Sequence, residues 1–97
     1  MSYPITITSS TYTIDTGYNI FFCDCTSNSI TLEMPELLYD CIRFLIKRID
    51  TSSNTLTLNI NTFDYIDIEN SSSPITFAPY DYIEIISYNS QWWIIDR

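Results

Sequence analysis

Cysteines are the first residues of this 97-residue chain to consider for nucleophilic or metal chemistry, and there are three of them. Cys23 and Cys25 are two positions apart and would share one face of a strand, whereas Cys41 lies in a separate segment. A zinc site needs about four Cys or His ligands, and the chain has no His. We therefore expect no metal site. An odd number of thiols favours buried, reduced cysteines, and a bridge from Cys41 to Cys23 or Cys25 is the alternative.

Hydroxyl and carboxylate side chains also offer little for a catalytic site. A Ser, Thr or Cys nucleophile needs a neighbouring base, which in a chain without His would have to be Lys47 or a carboxylate. Asp64, Asp67 and Glu69 lie close together, but their spacing lacks the glycine of an EF-hand loop, and a carboxylate hydrolase also needs a deep cleft. We interpret these acids as a solvated surface. We expect no enzyme, no catalytic residue and no cofactor, with calcium binding and a small carboxylate-dependent hydrolase as distant alternatives.

Aromatic residues, which make up 15% of the chain, are the stronger indication of binding. Exposed aromatic rings would stack on sugars, whereas covered rings would pack the core and subunit contacts. We favour packing, because most of these rings lie in strands that have two apolar faces. The rings concerned are Tyr65, Tyr80, Tyr82, Tyr88 and Trp92. Tyr80, which follows Pro79 in a loop, is the exception that we expect to be an exposed ligand contact.

The elements that position these residues are predicted to be short β-strands. Runs of β-branched and aromatic residues separated by Ser, Thr, Asn and Asp indicate eight to ten strands. Strict alternation over residues 28–34 and 54–61 predicts strands with one buried and one wet face, with Ile30, Leu32, Met34, Leu56, Leu58 and Ile60 pointing inward. The spacing of the apolar residues over residues 36–49 fits either a helix or a strand. We place a turn at residues 36–40 and a strand over residues 42–50.

Three further segments are apolar on both faces. They are residues 18–23, 82–88 and 91–96, and Asn89-Ser90 is the predicted two-residue turn between the last two. A sandwich sheet keeps one wet face, so a second apolar face needs cover. In one domain spanning residues 1–97 we expect another subunit to supply that cover. The candidate subunit interface is Phe21, Tyr82, Ile86, Tyr88, Trp92 and Ile94.

Charge and hydropathy exclude two classes of partner. The net charge of −8 would repel the phosphates of nucleic acid, so we expect no nucleic-acid partner. No apolar run approaches the roughly 18 residues that span a bilayer, and the first ten residues do not resemble a signal peptide. We therefore expect no membrane partner and no secretion through a signal peptide.

The order of four motifs is informative about the family. They are Ile30-Thr31-Leu32 followed by Pro35, the run from Phe44 to Asp50, Thr55-Leu56-Thr57-Leu58, and a closing pair at residues 83–87 and 93–95. This order resembles a small β-rich module of bacteriophage tail-fibre and giant-virus virion proteins. The resemblance implies a strand over residues 42–50 and a sandwich-like, often trimeric module without shared catalytic residues. Such modules have glycine where this chain has Asp40-Cys41 and Asn89-Ser90.

Together these observations predict an all-β fold, an antiparallel β-sandwich of jelly-roll type that assembles as a homotrimer. The expected function is that of a non-enzymatic viral structural protein, namely a virion-surface, capsid-associated or fibre-head-like module. It would be located in the virion, or in the host cytoplasm during assembly. The alternative is a carbohydrate-binding host-attachment module. The expected partners are further copies of the chain, with other virion proteins or glycans as additional candidates.

Overall fold

The computed structural model describes residues 3–35, 41–60 and 74–97, together with the backbone of residues 65–66 and 69–70. Every regular element in this part of the chain is a β-strand, which confirms the all-β prediction. The strands are β1 (Pro4–Ile7), β2 (Thr11–Thr13), β3 (Ile20–Cys23), β4 (Ile30–Glu33), β5 (Arg43–Arg48), β6 (Leu56–Asn59), β7 (Tyr65–Ile66), β8 (Glu69–Asn70), β9 (Ile75–Phe77), β10 (Tyr82–Tyr88) and β11 (Gln91–Asp96). The predicted turn at residues 36–40 lies outside the described residues, as do Asp64 and Asp67.

Two mixed sheets contain these strands. The seven-stranded sheet has the order β1-β3-β5-β10-β11-β7-β8, and the four-stranded sheet has the order β2-β4-β6-β9. From β1 to β6 the chain alternates between the sheets, so that β1, β3 and β5 are parallel in one and β2, β4 and β6 are parallel in the other. This part of the chain is a spiral of three coils, of which the first contains β1 and β2, the second β3 and β4, and the third β5 and β6. It ends where β9 pairs antiparallel with β6, and β10 pairs antiparallel with β5 and β11.

The prediction of an antiparallel sandwich is therefore corrected. A jelly roll is built from antiparallel strands, so this pairing does not confirm that topology. Alternation in a sequence reports which face of a strand is buried and carries no information about the direction of its neighbour. Parallel neighbours need a long crossover connection. Here each crossover within one sheet contains a strand of the other sheet, for example β2 between β1 and β3.

The core lies between the inner faces of the two sheets. The inward residues predicted for residues 28–34 and 54–61 are all buried, which confirms both strand interpretations. A row of rings crosses the seven-stranded side, where the ring centroids of Phe21 and Phe44 are 5.6 Å apart and those of Phe44 and Trp92 are 5.8 Å apart. The strand predicted over residues 42–50 is present as β5, with Phe44 and Ile46 in this core.

The two outer faces differ in chemistry. On the four-stranded sheet, Thr11, Thr31, Thr57 and Thr76 are paired in one row across all four strands. Such a threonine row combines high β-propensity with a polar surface. On the seven-stranded sheet, the outward positions of β3, β5, β10 and β11 instead combine the charged residues Arg43, Lys47 and Glu84 with five apolar residues that are half-buried. These five residues, termed the apolar outer face below, are Ile20, Phe22, Leu45, Ile86 and Trp93.

Left-handed backbone occurs at four non-glycine residues of the described chain. Asn89 and Ser90, with φ of 52° and 65°, form the two-residue turn between β10 and β11, which confirms that prediction. Positive φ at both central residues is the mark of a type I′ turn, whose twist matches that of the strands it joins. Cys41 and Tyr80 each have a φ of 64°.

No helix of the described residues is both long and apolar enough to cross a membrane.

Candidate functional site

The predicted subunit interface needs a correction at two residues. Phe21 and Trp92 are 0% exposed in the single chain, so neither can contact a second subunit. Both lie on inner faces, Phe21 beside Phe44 in the core and Trp92 opposite the buried Ser87. Because both faces of these strands are apolar, alternation alone does not distinguish the face that points to the core from the face that points outward.

The other four candidates are distributed over both faces. Tyr82, Ile86 and Tyr88 occupy outward positions of β10, whereas Ile94 is half-buried and packs against the core. The pairing of β10 with β11 contains a register shift, because Glu84 pairs with Asp96 while Ile85 pairs with Ile94. This β-bulge interrupts the alternation at the end of β11. It brings the Asp96 carboxylate onto the outer face, which the sequence pattern did not indicate.

At the hairpin end of the outer face, three residues form a compact apolar surface. Ile86 and Trp93 are cross-strand partners, and the indole Nε1 of Trp93 donates a hydrogen bond to the carbonyl of Tyr88 at 2.9 Å. Tyr88 is 59% exposed. We call Ile86, Tyr88 and Trp93 the hairpin patch. The hydrogen bond fixes the indole ring across the turn, so the patch is a preformed surface.

Further along the same face lies a groove, which we call the tyrosine groove. Its volume is about 380 Å³, and it is lined by Phe22, Leu45, Lys47, Tyr82, Glu84 and Asp96. The register explains this composition, because one row places Phe22, Lys47 and Tyr82 side by side across three strands. The adjacent row aligns Leu45, Glu84 and Asp96.

Polar contacts hold the walls of the tyrosine groove in place. Lys47 donates a hydrogen bond to the carbonyl of Tyr80, and its Nζ lies 5.9 Å from the ring centroid of Tyr80 and 5.7 Å from that of Tyr82. A hydrogen bond with Asp96 raises the pKa of Tyr82, because the hydroxyl is stabilised in its protonated form. Tyr80 is 57% exposed beside the groove, and its role as a ligand contact stays a prediction. At the surface, Arg43 forms a salt bridge with Glu84, with Nε 3.2 Å from Oε2.

A buried ion pair between Arg48 and Asp50 is the polar feature that sequence reasoning missed. Arg48, only 2% exposed, also donates hydrogen bonds to the carbonyls of Phe77, Ser52 and Asn54. Asp50 accepts hydrogen bonds from the backbone N–H groups of Cys25 and Ser52. These contacts hold the pKa of Asp50 well below its usual range, and the hydrogen bonds from Arg48 are the largest cause. The sequence did contain a signal for this pair. Arg48 is two positions after the buried Ile46 in β5, so its side chain is expected on the same, inner face of the strand.

The three cysteines are free thiols, so the alternative of a bridge involving Cys41 is not formed. Cys23 and Cys25 are buried, as predicted, whereas Cys41 is exposed, so the prediction of burial is wrong for that residue. Burial raises the pKa of Cys23 to about 12, because the interior disfavours the thiolate. Within the described ranges, no group of three or more His, Cys, Asp or Glu side chains could hold a metal ion.

Comparison with known proteins gives no assignment, because no protein-family model matches this chain and a search of curated proteins finds no matching relative.

Proposed function

We propose that this chain is a non-enzymatic viral structural module that assembles as a homotrimer through the hairpin patch. It would serve at the virion surface, as a capsid-associated or fibre-head-like unit, and its principal partners would be other copies of itself. The observation that carries the proposal is the apolar outer face of the seven-stranded sheet, with Ile86 and Trp93 half-buried and paired at its hairpin end.

The contrast between the two outer faces supports this interpretation. A sheet face that meets water is normally polar, and the threonine row of the four-stranded sheet follows that rule. The outer face of the seven-stranded sheet departs from it, because five half-buried apolar residues lie there beside Arg43, Lys47 and Glu84 in a chain that carries a net charge of −8. Aromatic side chains contribute strongly to interface energetics. Covering Tyr88 and Trp93 with a second copy would remove their rings from water.

The viral role and the three-fold state rest on the resemblance described above. One backbone feature adds support, since Cys41, Asn89 and Ser90 have positive φ. These residues lie where modules of this kind have glycine, the residue that adopts such angles most easily. This chain would then adopt at these turns the same left-handed backbone as those modules, with residues other than glycine.

A matched pair of lysine substitutions tests the interface. Ile86→Lys introduces a charge into the hairpin patch, and sedimentation velocity should show conversion of the trimer to a monomer. Thr76→Lys makes the same charge change on the exposed threonine row and should leave the trimer intact. Circular dichroism checks that both variants fold. Retention of the trimer by Ile86→Lys, or equal dissociation by Thr76→Lys, would exclude the hairpin patch as the interface.

Quantitative mass spectrometry of density-purified particles tests the viral role. We expect the chain to sediment with the particles at constant stoichiometry to the other structural proteins. Recovery only in the soluble fraction of infected cells would contradict a structural role in the virion.

A further inference from the structure

The tyrosine groove has a composition that simple subunit packing does not require. Phe22 and Leu45 form an apolar floor, Tyr82 supplies an aromatic ring, and Lys47, Glu84 and Asp96 supply charged groups. Its volume of about 380 Å³ lies within the range of small-molecule sites, roughly 300 to 1,000 Å³. An apolar surface with a few converging polar groups is the usual design of such a site.

Tyr80 extends the aromatic surface beside the groove. Its φ of 64° is unusual for a bulky residue, and exposure shows that core packing does not demand it. A closed turn maintains this conformation, with the N–H of Asp81 donating to the carbonyl of Ala78 at 3.0 Å and the Asp81 Oδ2 accepting from the N–H of Ala78 at 2.9 Å. Lys47 lies close to the rings of both Tyr80 and Tyr82. The closed turn and the contacts of Lys47 therefore hold this exposed residue in a defined place beside the groove.

The chemistry of these groups matches a sugar. A pyranose ring has an apolar C–H face that packs against tyrosine or phenylalanine, and its hydroxyls both donate and accept hydrogen bonds. Carboxylates of Glu84 and Asp96 would accept from those hydroxyls, and the ammonium of Lys47 would donate to them. Lys47 and Arg43, which bridges to Glu84, offset the charges of Glu84 and Asp96 locally, whereas the net charge of −8 on the whole chain would repel an anionic ligand.

We propose that the tyrosine groove binds a neutral carbohydrate of one or two rings, stacked on Tyr82 with Tyr80 beside it and hydrogen-bonded to Glu84 and Asp96. This site goes beyond the structural role proposed above and does not depend on it. The residues concerned are distinct from the hairpin patch. Tyr82, a predicted interface residue, is thereby assigned to ligand binding.

Titration followed by NMR tests the site on the intact chain. The neutral probes are maltose, cellobiose, lactose and N,N′-diacetylchitobiose, and 3′-sialyllactose is the anionic probe. We expect saturable binding of at least one neutral probe, with 3′-sialyllactose at least about tenfold weaker than lactose or undetectable. Absence of saturable binding for all four neutral probes, or tighter binding of the anionic probe than of any neutral probe, would overturn the proposal.

Three substitutions locate the binding. Tyr80→Ala and Glu84→Gln should each weaken the affinity for the bound probe by about tenfold, the usual effect of removing an important contact. Tyr3→Ala removes a tyrosine that is 53% exposed, lies just before the edge strand β1 and does not line the groove, so it should leave the affinity unchanged. Equal affinities in all three variants would overturn the assignment. Repeating the titration on Ile86→Lys separates the two proposals, because loss of the trimer should leave sugar binding in place.

Discussion

Arg48 and Asp50 form a bidentate ion pair in the interior, with Nε 3.1 Å from Oδ1 and Nη2 3.2 Å from Oδ2. Burial of two charges is favourable only where geometry and further hydrogen bonds compensate for the lost hydration. Here the surrounding contacts do so, and they reach Cys25 in the second coil and Phe77 in β9. The pair therefore connects the end of β5 to the loop that follows β3 and to β9.

Removing one partner of this pair should be costly. Asp50→Asn leaves the Arg48 charge buried without its counterion, and we expect a loss of about 3 to 5 kcal/mol in the free energy of unfolding. Arg43→Met, which removes the exposed bridge to Glu84, should cost less than about 1 kcal/mol. Urea denaturation measures both values. Similar losses in the two variants would mean that the Arg48–Asp50 pair is more hydrated than its burial indicates.

The same pair should govern stability in acid. The pKa of Asp50 is lowered in the folded chain, so its contribution is fully present above the unfolded value of about 3.9 and is lost as pH falls through the folded value. We expect the free energy of unfolding of the wild type to fall more steeply below about pH 4 than that of Asp50→Asn. Parallel pH profiles for the two proteins would contradict this linkage.

Adjacent tryptophans should have unequal effects on stability. Trp92 is fully buried, and Trp92→Ala should cost about 3 to 5 kcal/mol. Trp93 is half-buried on the outer face, so Trp93→Ala should cost about 1 to 2 kcal/mol, which includes its hydrogen bond to the carbonyl of Tyr88. Both substitutions are measured in the Ile86→Lys background to remove the contribution of assembly. A larger loss for Trp93 would reverse the assignment of faces in β11.

Thiol reactivity should separate the three cysteines. The pKa of Cys23 is raised to about 12 and that of Cys25 is also raised, in both cases chiefly by burial, so neither should react in the folded chain. Exposed Cys41 should react with Ellman's reagent within minutes, and all three thiols should react in urea. Zero or three rapidly reacting thiols in the native protein would contradict these placements.

The turn between β10 and β11 offers a stabilising substitution. Ser90 has a φ of 65°, and Asn-Gly is the preferred sequence for a turn with positive φ at both central residues. Ser90→Gly should therefore raise the free energy of unfolding by about 0.5 to 1 kcal/mol. Ser53→Gly, at an exposed loop residue outside this turn whose φ is not positive, serves as the control and should not stabilise. A loss of stability in Ser90→Gly would exclude the type I′ geometry.

Local features of this fold could be predicted from the sequence because they depend on one strand at a time. Alternation placed Leu32 and Leu58 inward, and the Asn89-Ser90 turn followed from its residue types. Strand direction could not be predicted, since β1 and β3 pair only after the chain has passed through the other sheet. That information lies in long-range contacts, which no short sequence window contains.

The candidate site was predictable only in part. An apolar second face was foreseen, and Ile86 and Tyr88 lie on it, whereas Phe21 and Trp92 belong to the core. Two apolar faces look alike in a sequence, and the choice between them is made by the packing of the opposite sheet. The tyrosine groove was not foreseen, because its composition depends on the register of four strands and on the β-bulge that brings Asp96 beside Glu84.

Mass in solution tests the central claim, that the hairpin patch at the end of the apolar outer face is covered by other copies of this chain. Light scattering coupled to size-exclusion chromatography of the wild type at micromolar concentration should give about three times the chain mass of 11.3 kDa. A single species of 11.3 kDa that persists up to about 100 µM would contradict assembly through this face.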